Sequence, residues 1–288
     1  MEYLIHIAVL ISIYSILGIS LDLVLGFTGL LSVTHAAFYG LGAYATAILL
    51  TSFGINFFLA VFLGIIISGV IALGFGIVLS RFRDDFYALA SMGFNTIVFS
   101  VFLNWQSVTR GPLGIPGIDR PSLFGFEFSE NFFFLILCVV FAGAVYFISR
   151  FITNSSFGRV LLSIRENEEA ISVFGYNTVF YKLLIFVISA MMASVAGALY
   201  ATYVTYIDPS SFSLSESIFI LAMIIVGGLS NHRGAILGAV FVILLPEVLR
   251  FVGFPTDIAA QMRQLTYGVL LIAFMLYRPK GLVGKYEL

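Results

Sequence analysis

The stretch FFLAVFLGIIISGVIALGFGIVLS, residues 57–80, contains no charged side chain along its whole length. A helix needs about 20 consecutive, predominantly apolar residues to cross the hydrocarbon core of a bilayer. Since that core holds no water, each backbone N–H and C=O group must find its partner within the helix. The stretch therefore predicts a membrane-spanning α-helix and sets the fold class of the chain.

Similar apolar segments lie on both sides of this one. Over the whole chain 60% of the residues are hydrophobic, 10% are charged and the mean hydropathy is +1.08, whereas soluble domains carry about 25% charged residues. About nine segments are predicted, near residues 3–25, 35–52, 57–80, 86–104, 131–150, 180–203, 216–229, 234–252 and 264–278. We expect an all-α, polytopic transmembrane bundle of about eight to ten spans in one domain, residues 1–288.

The seventh and ninth segments are shorter than the others. Two explanations remain open. Either these helices are tilted where the bilayer is thin, or one of them is a re-entrant half-helix buried in protein.

Basic residues near span ends are retained on the cytoplasmic side of a membrane and therefore indicate orientation. If the first span begins outside and the last ends inside, ten of the 14 Lys and Arg residues are cytoplasmic. These are Arg81, Arg83, Arg150, Arg159, Arg165, Lys182, Arg233, Arg278, Lys280 and Lys285. The other four are Arg110, Arg120, Arg250 and Arg263. This distribution favours a cytoplasmic carboxyl terminus.

The longest predicted outer loop, residues 104–130, is rich in proline and glycine. Proline fixes the backbone and removes a donor, while glycine permits tight turns. We expect a structured, non-helical cap. It is either a plain connector or part of an outer rim on which a solute-delivering partner lands.

A charged interval, residues 150–182, separates two of the apolar segments. Ser163 followed by Glu166 matches a capping box, in which each side chain satisfies a free backbone donor at a helix start. The pattern predicts a short helix over residues 165–174 that ends at Gly175, since glycine readily takes the left-handed conformation.

Ile164, Ile171 and Phe174 predict one apolar stripe along this short helix. Three charged residues remain available to polar surroundings: Arg165, Glu168 and Glu169. Because so short a helix is unstable alone in water, it must rest on lipid headgroups, on its own bundle or in the groove of a partner. An interfacial amphipathic helix without a partner is one of these alternatives.

Glu169-Ala170, with Gly175 six positions after the glutamate, resembles the coupling motif of ABC importer permeases, whose short cytoplasmic helix sits in a cleft of the ATPase subunit. Further segments, all in one order, resemble the permeases of branched-chain amino acid importers, in particular the LivM-type subunit. They are GFTGLLS (26–32), HAAF (35–38), GLGAY (40–44), RFR (81–83), YALA (87–90), GIPGI (114–118), FGR (157–159), IRENE (164–168), KLL (182–184), ALY (198–200), GGL (227–229), GA (234–235) and RPKGL (278–282).

The resemblance implies a multi-pass subunit of a prokaryotic inner-membrane importer for a small amino acid, branched-chain or otherwise hydrophobic. It implies a second homologous permease subunit, two ABC ATPase subunits and an extracytoplasmic solute-binding protein as partners. The coupling residues would be Arg165, Glu168, Glu169, Ala170 and Gly175. Alternating access driven by the ATPases would then move solute inward.

No Walker-type phosphate loop occurs in the sequence, so we expect ATP hydrolysis in the partner subunits and no catalytic residue in this chain. We expect no cofactor and no metal. The formal net charge of −1 gives no reason to expect nucleic acid, whose phosphates require a basic surface.

Residues 26–44 are dense in small side chains, which allow helices to approach closely or to break. A broken helix exposes backbone donors and acceptors that can bind a zwitterionic amino acid without fixed charges. Tight helix packing alone is the other explanation. The candidate residues for a translocation path or helix break are Gly26, Gly29, Ser32, His35, Gly40, Gly42 and Tyr44.

Three positions depart from the family pattern. Asp22 stands where Asn is expected, Thr96 where many members carry Glu, and His232-Arg233 where a less polar pair is usual. These departures bear on subfamily and substrate. Asp22, near a span end, is expected to reach the membrane interface.

Two other classes of function compete with the importer. A self-sufficient, ion-coupled secondary transporter would need titratable groups within the membrane, for which Asp22, His35 and Glu247 are candidates. An intramembrane hydrolase would use Ser32 and His35, but they lie three residues apart and no orienting carboxylate is evident.

Overall fold

The computed structural model describes residues 2–82, 84–123, 126–128, 130–251 and 281–283, together with positions 265, 268, 269, 272, 273 and 277. Within this part of the chain the helices are α1 (Glu2–Leu21), α2 (His35–Phe53), α3 (Phe57–Leu79), α4 (Asp84–Asn104), α5 (Gln106–Thr109), α6 (Asn131–Asn154), α7 (Ser156–Val173), α8 (Thr178–Val204), α9 (Leu214–Gly227) and α10 (His232–Phe251). A π-helical turn, Asp22–Gly26, extends α1. The strands are β1 (Ile115–Pro116), β2 (Ser122–Leu123), β3 (Phe126–Glu127) and β4 (Tyr206–Ile207).

The described helices include six that are long and apolar enough to cross a membrane: α1 with its π-helical turn, α2, α3, α4, α6 and α8. The predicted polytopic helical bundle is therefore confirmed. The seventh and eighth predicted segments form one bent pair, since α9 and α10 meet at 117° across four residues. A broken or re-entrant arrangement thus explains the short seventh segment.

Some predictions fall outside the described residues. The ninth segment, residues 264–278, is described at only a few positions, and the side chain of Glu247 is not described. The structure also leaves undescribed the side chains of six of the basic residues used to predict orientation: Arg83, Arg250, Arg263, Arg278, Lys280 and Lys285.

The two ends of the bundle can be identified from contacts between loops. At one end β1 pairs with β4, with Ile115 opposite Ile207, so the loops after α4 and after α8 meet there. We call this the β4 end. At the other end, where α7 precedes α8, the Leu282 N–H donates to the Val226 carbonyl at 2.9 Å. This α7 end therefore holds both the charged interval and residues 281–283, as the predicted orientation requires.

Helix α8 lies at the centre of the bundle. In its most apolar stretch 72% of the residues are buried, whereas in the corresponding stretch of α6 only 28% are buried. Glycines bring α8 and α2 into backbone contact. A Cβ added at Gly42 would lie 2.1 Å from the Ser194 carbonyl oxygen, and one at Gly197 would lie 2.0 Å from the Tyr39 carbonyl oxygen. Small residues therefore determine how closely these two helices pack.

The loop after α4 is structured, as predicted, but it is not wholly non-helical. It contains α5 and a 3₁₀ turn, Gly111–Leu113, as well as β1, β2 and β3. Gly114 has a positive φ of 66° and packs against the Ile207 backbone, a position where a side chain would collide. The loop is thus attached to the loop after α8 and caps the β4 end.

Candidate functional site

A break in helical structure, residues 29–34, lies inside the bundle between α1 and α2. Ser32 and Thr34 in this break are fully buried. A buried loop needs partners for its backbone groups, and side chains of other helices supply them. Ser91 Oγ on α4 accepts from the Val33 N–H at 3.0 Å. The structure thus places a loop with buried side chains between the π-helical turn and α2.

The amino-terminal turn of α2 is bound by a polar cluster that the sequence analysis did not identify. The Ala36 N–H donates to Ser217 Oγ on α9 at 2.9 Å. Ser217 in turn donates to Asn95 Oδ1 on α4 at 3.3 Å. Asn95 stands beside Thr96 and Ser217 beside Glu216, and nothing in the sequence connects these two short polar stretches to each other.

Several buried polar atoms on α2, α3 and α4 have no hydrogen-bond partner among the described residues. They are His35 Nδ1, Tyr39 Oη, Tyr44 Oη, Thr46 Oγ1, Ser68 Oγ and Asn95 Nδ2. Leaving such a group unsatisfied typically costs about 1–3 kcal/mol, so a concentration of them is uncommon in a core that serves packing alone. Four of the six belong to α2, and all are neutral donors or acceptors. The interior beside α2 can therefore hydrogen-bond a polar ligand or water.

The seven candidate residues of the 26–44 region fall into separate groups. Ser32 and His35 lie in or next to the break. Gly40 packs between Phe102 and Phe212, and Gly42 contacts the α8 backbone, so these two glycines serve helix packing.

Tyr44 also takes part in packing, because its ring stacks on Phe102 with the centroids 4.5 Å apart. Gly26 and Gly29 lie at the α7 end. Gly26 packs against Asp22 and Ser230, and Gly29 has a φ of +74° beside Arg165. The structure therefore does not bring the seven residues into one path.

His35 links three helices. Its Nε2 lies 2.9 Å from Ser189 Oγ on α8, and Ser189 donates to the Ser20 carbonyl on α1 at 2.6 Å. Ser32 Oγ lies 3.0 Å from Thr34 Oγ1. Ser32 and His35 thus have different partners and do not form the nucleophile and base pair that a hydrolase needs.

Asp22 does not reach the membrane interface as expected, because it is fully buried. Its Oδ1 accepts from the Ser230 N–H at 2.8 Å, and its Oδ2 lies 3.2 Å from His232 Nδ1. The π-helical turn that carries Asp22 is in this way bound to the turn between α9 and α10. Two of the three departures from the family pattern therefore contact each other.

Arg165 points into the bundle. Its Nη1 donates to the Gly26 carbonyl and to Ser230 Oγ at 2.8 Å. This half-buried side chain has polar surroundings, as predicted, but they lie within the chain, since Arg165 joins α7 to the π-helical turn and to the α9–α10 turn.

The charged interval begins its helix earlier than predicted. Ser155 caps α7 by accepting from the Gly158 N–H at 3.5 Å, whereas Ser163 Oγ donates within the helix to the Arg159 carbonyl. The predicted capping box at Ser163 and Glu166 is therefore wrong. Gly158, the only glycine between Ser155 and Ser163, is itself helical, so the helix that begins after Ser155 continues past Ser163.

Helix α7 is kinked at Asn167, whose φ of −162° and ψ of 97° are not helical. Asn167 Oδ1 accepts from the Ala170 N–H at 2.9 Å and so caps a second, short helix. We call residues 168–176, which follow the kink, the distal segment. As predicted, its helix ends at Gly175, which has a φ of +88°.

Glu168 attaches the distal segment to α8. Its Oε1 lies 2.8 Å from Lys182 Nζ, and the exposed fractions of the two side chains are 20% and 2%. Thr178 Oγ1 donates to the same oxygen at 2.9 Å. Glu168 was expected to face polar surroundings, but the structure uses it in a largely buried ion pair.

The rest of the distal segment faces outward. Glu169, Ala170 and Gly175 are exposed, and Phe174 and Val173 are 79% and 86% exposed. The predicted stripe is therefore only partly correct. Ile164 is buried, but the kink at Asn167 rotates the later residues, and Phe174 points away from the bundle.

Comparison with known proteins gives a clear family. The family described as the branched-chain amino acid transport system permease component matches residues 3–275. The LivM permease protein of the high-affinity branched-chain amino acid transport system of Escherichia coli strain K12 is 33% identical over 306 residues, which cover 97% of this chain and 69% of that protein.

Two further relatives carry the same system name. LivM of Salmonella typhimurium is 32% identical over 303 residues, covering 97% of this chain and 69% of that protein. LivH of Escherichia coli strain K12 is 28% identical over 297 residues, covering 96% of this chain and 92% of that protein. No solved structure matches the chain.

Proposed function

Because this chain belongs to the branched-chain amino acid transport system permease family, we propose that it is the membrane-spanning permease subunit of an ATP-driven importer for branched-chain or other hydrophobic amino acids. The single observation that carries the mechanism is the exposed distal segment, held at the α7 end by buried polar contacts. The permease names of the relatives support the transport role.

The proposed partners are a second homologous permease, two ATPase subunits and an extracytoplasmic solute-binding protein. The chain is similar to both LivM and LivH of one organism, which supports a pairing of two related permeases. Its higher identity to LivM, 33% against 28%, supports the LivM-type position. The α7 end would face the cytoplasm and the ATPases.

The distal segment is suited to receive a force from an ATPase. Phe174 and Val173 offer an apolar contact, and Glu169 adds a charge at its edge. The Glu168–Lys182 ion pair would pass a displacement to α8, the most buried helix. Arg165 would pass it to the π-helical turn and to the α9–α10 turn. ATP-driven closure of the partners would thus bias a membrane unit with two arrangements.

The solute path is proposed beside α2. The break at residues 29–34 and the polar atoms of α2 that lack a partner among the described residues offer neutral hydrogen-bonding groups. Such groups can bind the ammonium and carboxylate of a zwitterion without burying a fixed charge. Apolar side chains such as Phe38 and Phe94, which are in contact there, would surround a hydrophobic side chain.

The contacts of the titratable groups give less support to an ion-coupled transporter. Asp22 is engaged by Ser230 and His232, and His35 is engaged by Ser189. The side chain of Glu247 lies outside the described residues.

The decisive experiment is uptake of labelled leucine into sealed vesicles that contain this chain with its partner subunits. We expect uptake only with ATP inside the compartment that bears the ATPases and with the binding protein on the opposite side. Uptake by this chain alone, driven by a proton or sodium gradient, would reject the importer.

A further inference from the structure

Two adjoining cavities open between α1, α6 and α10 near the α7 end. The first, which we call the basic pocket, has a volume of about 500 Å³. Its polar lining comes from the end of α6, the turn between α9 and α10 and the start of α10: Arg150, Thr153, Asn154, Ser230, Asn231, His232 and Arg233. Phe27 and Tyr146 add aromatic surface. The described lining contains two arginines and neither Asp nor Glu, so the pocket favours an anion.

The second cavity, the apolar groove, has a volume of about 420 Å³. Its lining is mainly aliphatic: Ile11, Ile19, Val139, Ala142, Gly143 and Ile236. Two serines also line it, and the hydroxyl of one of them, Ser12, is already bonded to the Ala8 carbonyl at 2.8 Å. The groove is therefore suited to a hydrocarbon chain.

Tyr146 and Arg233 line both cavities, so the basic pocket continues into the apolar groove. The order of the lining residues along α6 matches the layers of a bilayer. Val139 and Gly143 lie in the middle of this spanning helix, and Arg150 lies seven residues beyond Gly143, which is about 10 Å along the axis at 1.5 Å per residue. The charged part thus lies on the α7 side of the apolar part, in the order in which a headgroup and an acyl chain follow each other.

Among the residues that the structure describes, neither Arg150 nor Arg233 pairs with a carboxylate. The buried Asp22 is bonded to Ser230 and lies against His232, whose Nε2 is 3.2 Å from Thr153 Oγ1. A phosphate would supply the missing countercharge for both arginines and hydrogen-bond acceptors for Asn154.

From this arrangement we propose that the chain binds one anionic phospholipid from the leaflet at the α7 end. The phosphate lies between Arg150 and Arg233, and one acyl chain occupies the apolar groove over Gly143. Basic pockets between spanning helices have the chemistry for such headgroups. The lipid would join α6 to α10, whose described side-chain hydrogen bond is that between Thr153 and His232. The site is separate from the proposed solute path and does not depend on transport.

The first test measures lipid binding to the full chain by native mass spectrometry after release from nanodiscs of phosphatidylglycerol or phosphatidylcholine. We expect one retained phosphatidylglycerol and no retained phosphatidylcholine. Arg150→Gln and Arg233→Gln should each lower phosphatidylglycerol affinity about five-fold, the factor for one basic side chain near an anionic lipid. Arg81→Gln, which removes an exposed cation at the end of α3, should leave the affinity unchanged.

A second variant tests the acyl chain. A Cβ at Gly143 meets nothing within 4 Å, so Gly143→Leu fills the groove without a collision. We expect it to abolish lipid retention, whereas Gly74→Leu, at an equally open glycine of α3, should not. Equal retention of both lipids, or equal loss in the variants and their controls, would overturn the proposal.

Two other occupants of the cavities give distinct results. If inorganic phosphate displaces the lipid at millimolar concentration and Gly143→Leu has no effect, the site binds a free anion, and the lipid proposal is wrong. If Gly143→Cys crosslinks to the second permease in the assembled complex, the groove is a subunit interface, and the proposal is again wrong. Absence of such a crosslink together with retained lipid in the complex supports it. None of these results bears on whether uptake requires ATP.

Discussion

Two contacts made by α8 differ in kind. Against α2 it packs through glycines that bring the two backbones together, with Gly42 at Ser194 and Gly197 at Tyr39. Against the distal segment it is joined by the Lys182–Glu168 ion pair. Close packing transmits any strain and tolerates little change, whereas a few directional bonds can hold a small element in place or release it. The first contact builds the bundle, and the second is suited to moving with a partner.

The largest loss of stability is expected where the backbones of α2 and α8 touch. Gly42→Leu would drive a side chain into the Ser194 backbone, and we expect a loss of about 3 kcal/mol or more in the free energy of unfolding. Little monodisperse protein should survive size-exclusion chromatography in detergent. Gly74→Leu makes the same change at an open position and should behave like the unchanged protein. A well-folded Gly42→Leu would show that the α2–α8 contact is not as close as described.

Charge reversal in the distal segment should affect transport without affecting folding. Glu169 is exposed, so Glu169→Lys leaves the core intact, and we expect ATP-driven uptake to fall about ten-fold or more through a mismatched contact with the ATPase. Gly175→Asp should act in the same direction, because it alters the left-handed end of the helix. Glu166→Lys, before the kink, serves as the control. Normal uptake by both Glu169→Lys and Gly175→Asp would remove the coupling role from the distal segment.

The ion pair should show an intermediate effect. Lys182→Met leaves the Glu168 carboxylate without its cation, and we expect the free energy of unfolding to fall by about 2 kcal/mol. This is less than for a fully buried ion pair, because 20% of the Glu168 side chain is exposed. The double variant Lys182→Met with Glu168→Leu replaces both partners and should recover most of that loss in thermal unfolding. If the double variant is no better than the single one, the pair contributes through something other than its charges.

The smallest effect is expected at the kink. Asn167→Ala removes the cap of the distal helix, which is worth about 1 kcal/mol. Amide exchange should become about five-fold faster in the distal segment alone. Asn177→Ala removes the corresponding cap of α8 and should raise exchange at the start of α8 instead. Faster amide exchange throughout α7 would show that the Asn167 cap does not act on the distal segment alone.

The spanning helices were predictable because hydropathy is a local property. The apolar runs lie within a few residues of α1 to α4, α6 and α8. The bend between α9 and α10 was harder, since two apolar runs on either side of a glycine-rich turn read equally well as two separate spans. The start of α7 was missed because Ser155 and Ser163 are both acceptable caps, and the side-chain partner of each decided between them.

The candidate site was predictable only in part. The small residues before α2 left a helix break and tight packing equally open, and nothing in the sequence connects this region to its polar neighbours on α4 and α9, Ser91, Asn95 and Ser217. Asp22 and His232 are 210 positions apart in the chain, so local reasoning placed Asp22 at the interface.

The burial of the Lys182–Glu168 ion pair should make the position of the distal segment insensitive to salt. Dissolved ions weaken attraction between exposed charges but reach a mostly buried pair poorly. Concentrated salt should therefore strip peripheral subunits that are held through exposed residues such as Glu169, while the distal segment remains docked on α8. Membranes washed in this way would retain the distal segment in its docked position, and it could bind added ATPase subunits when the salt is diluted.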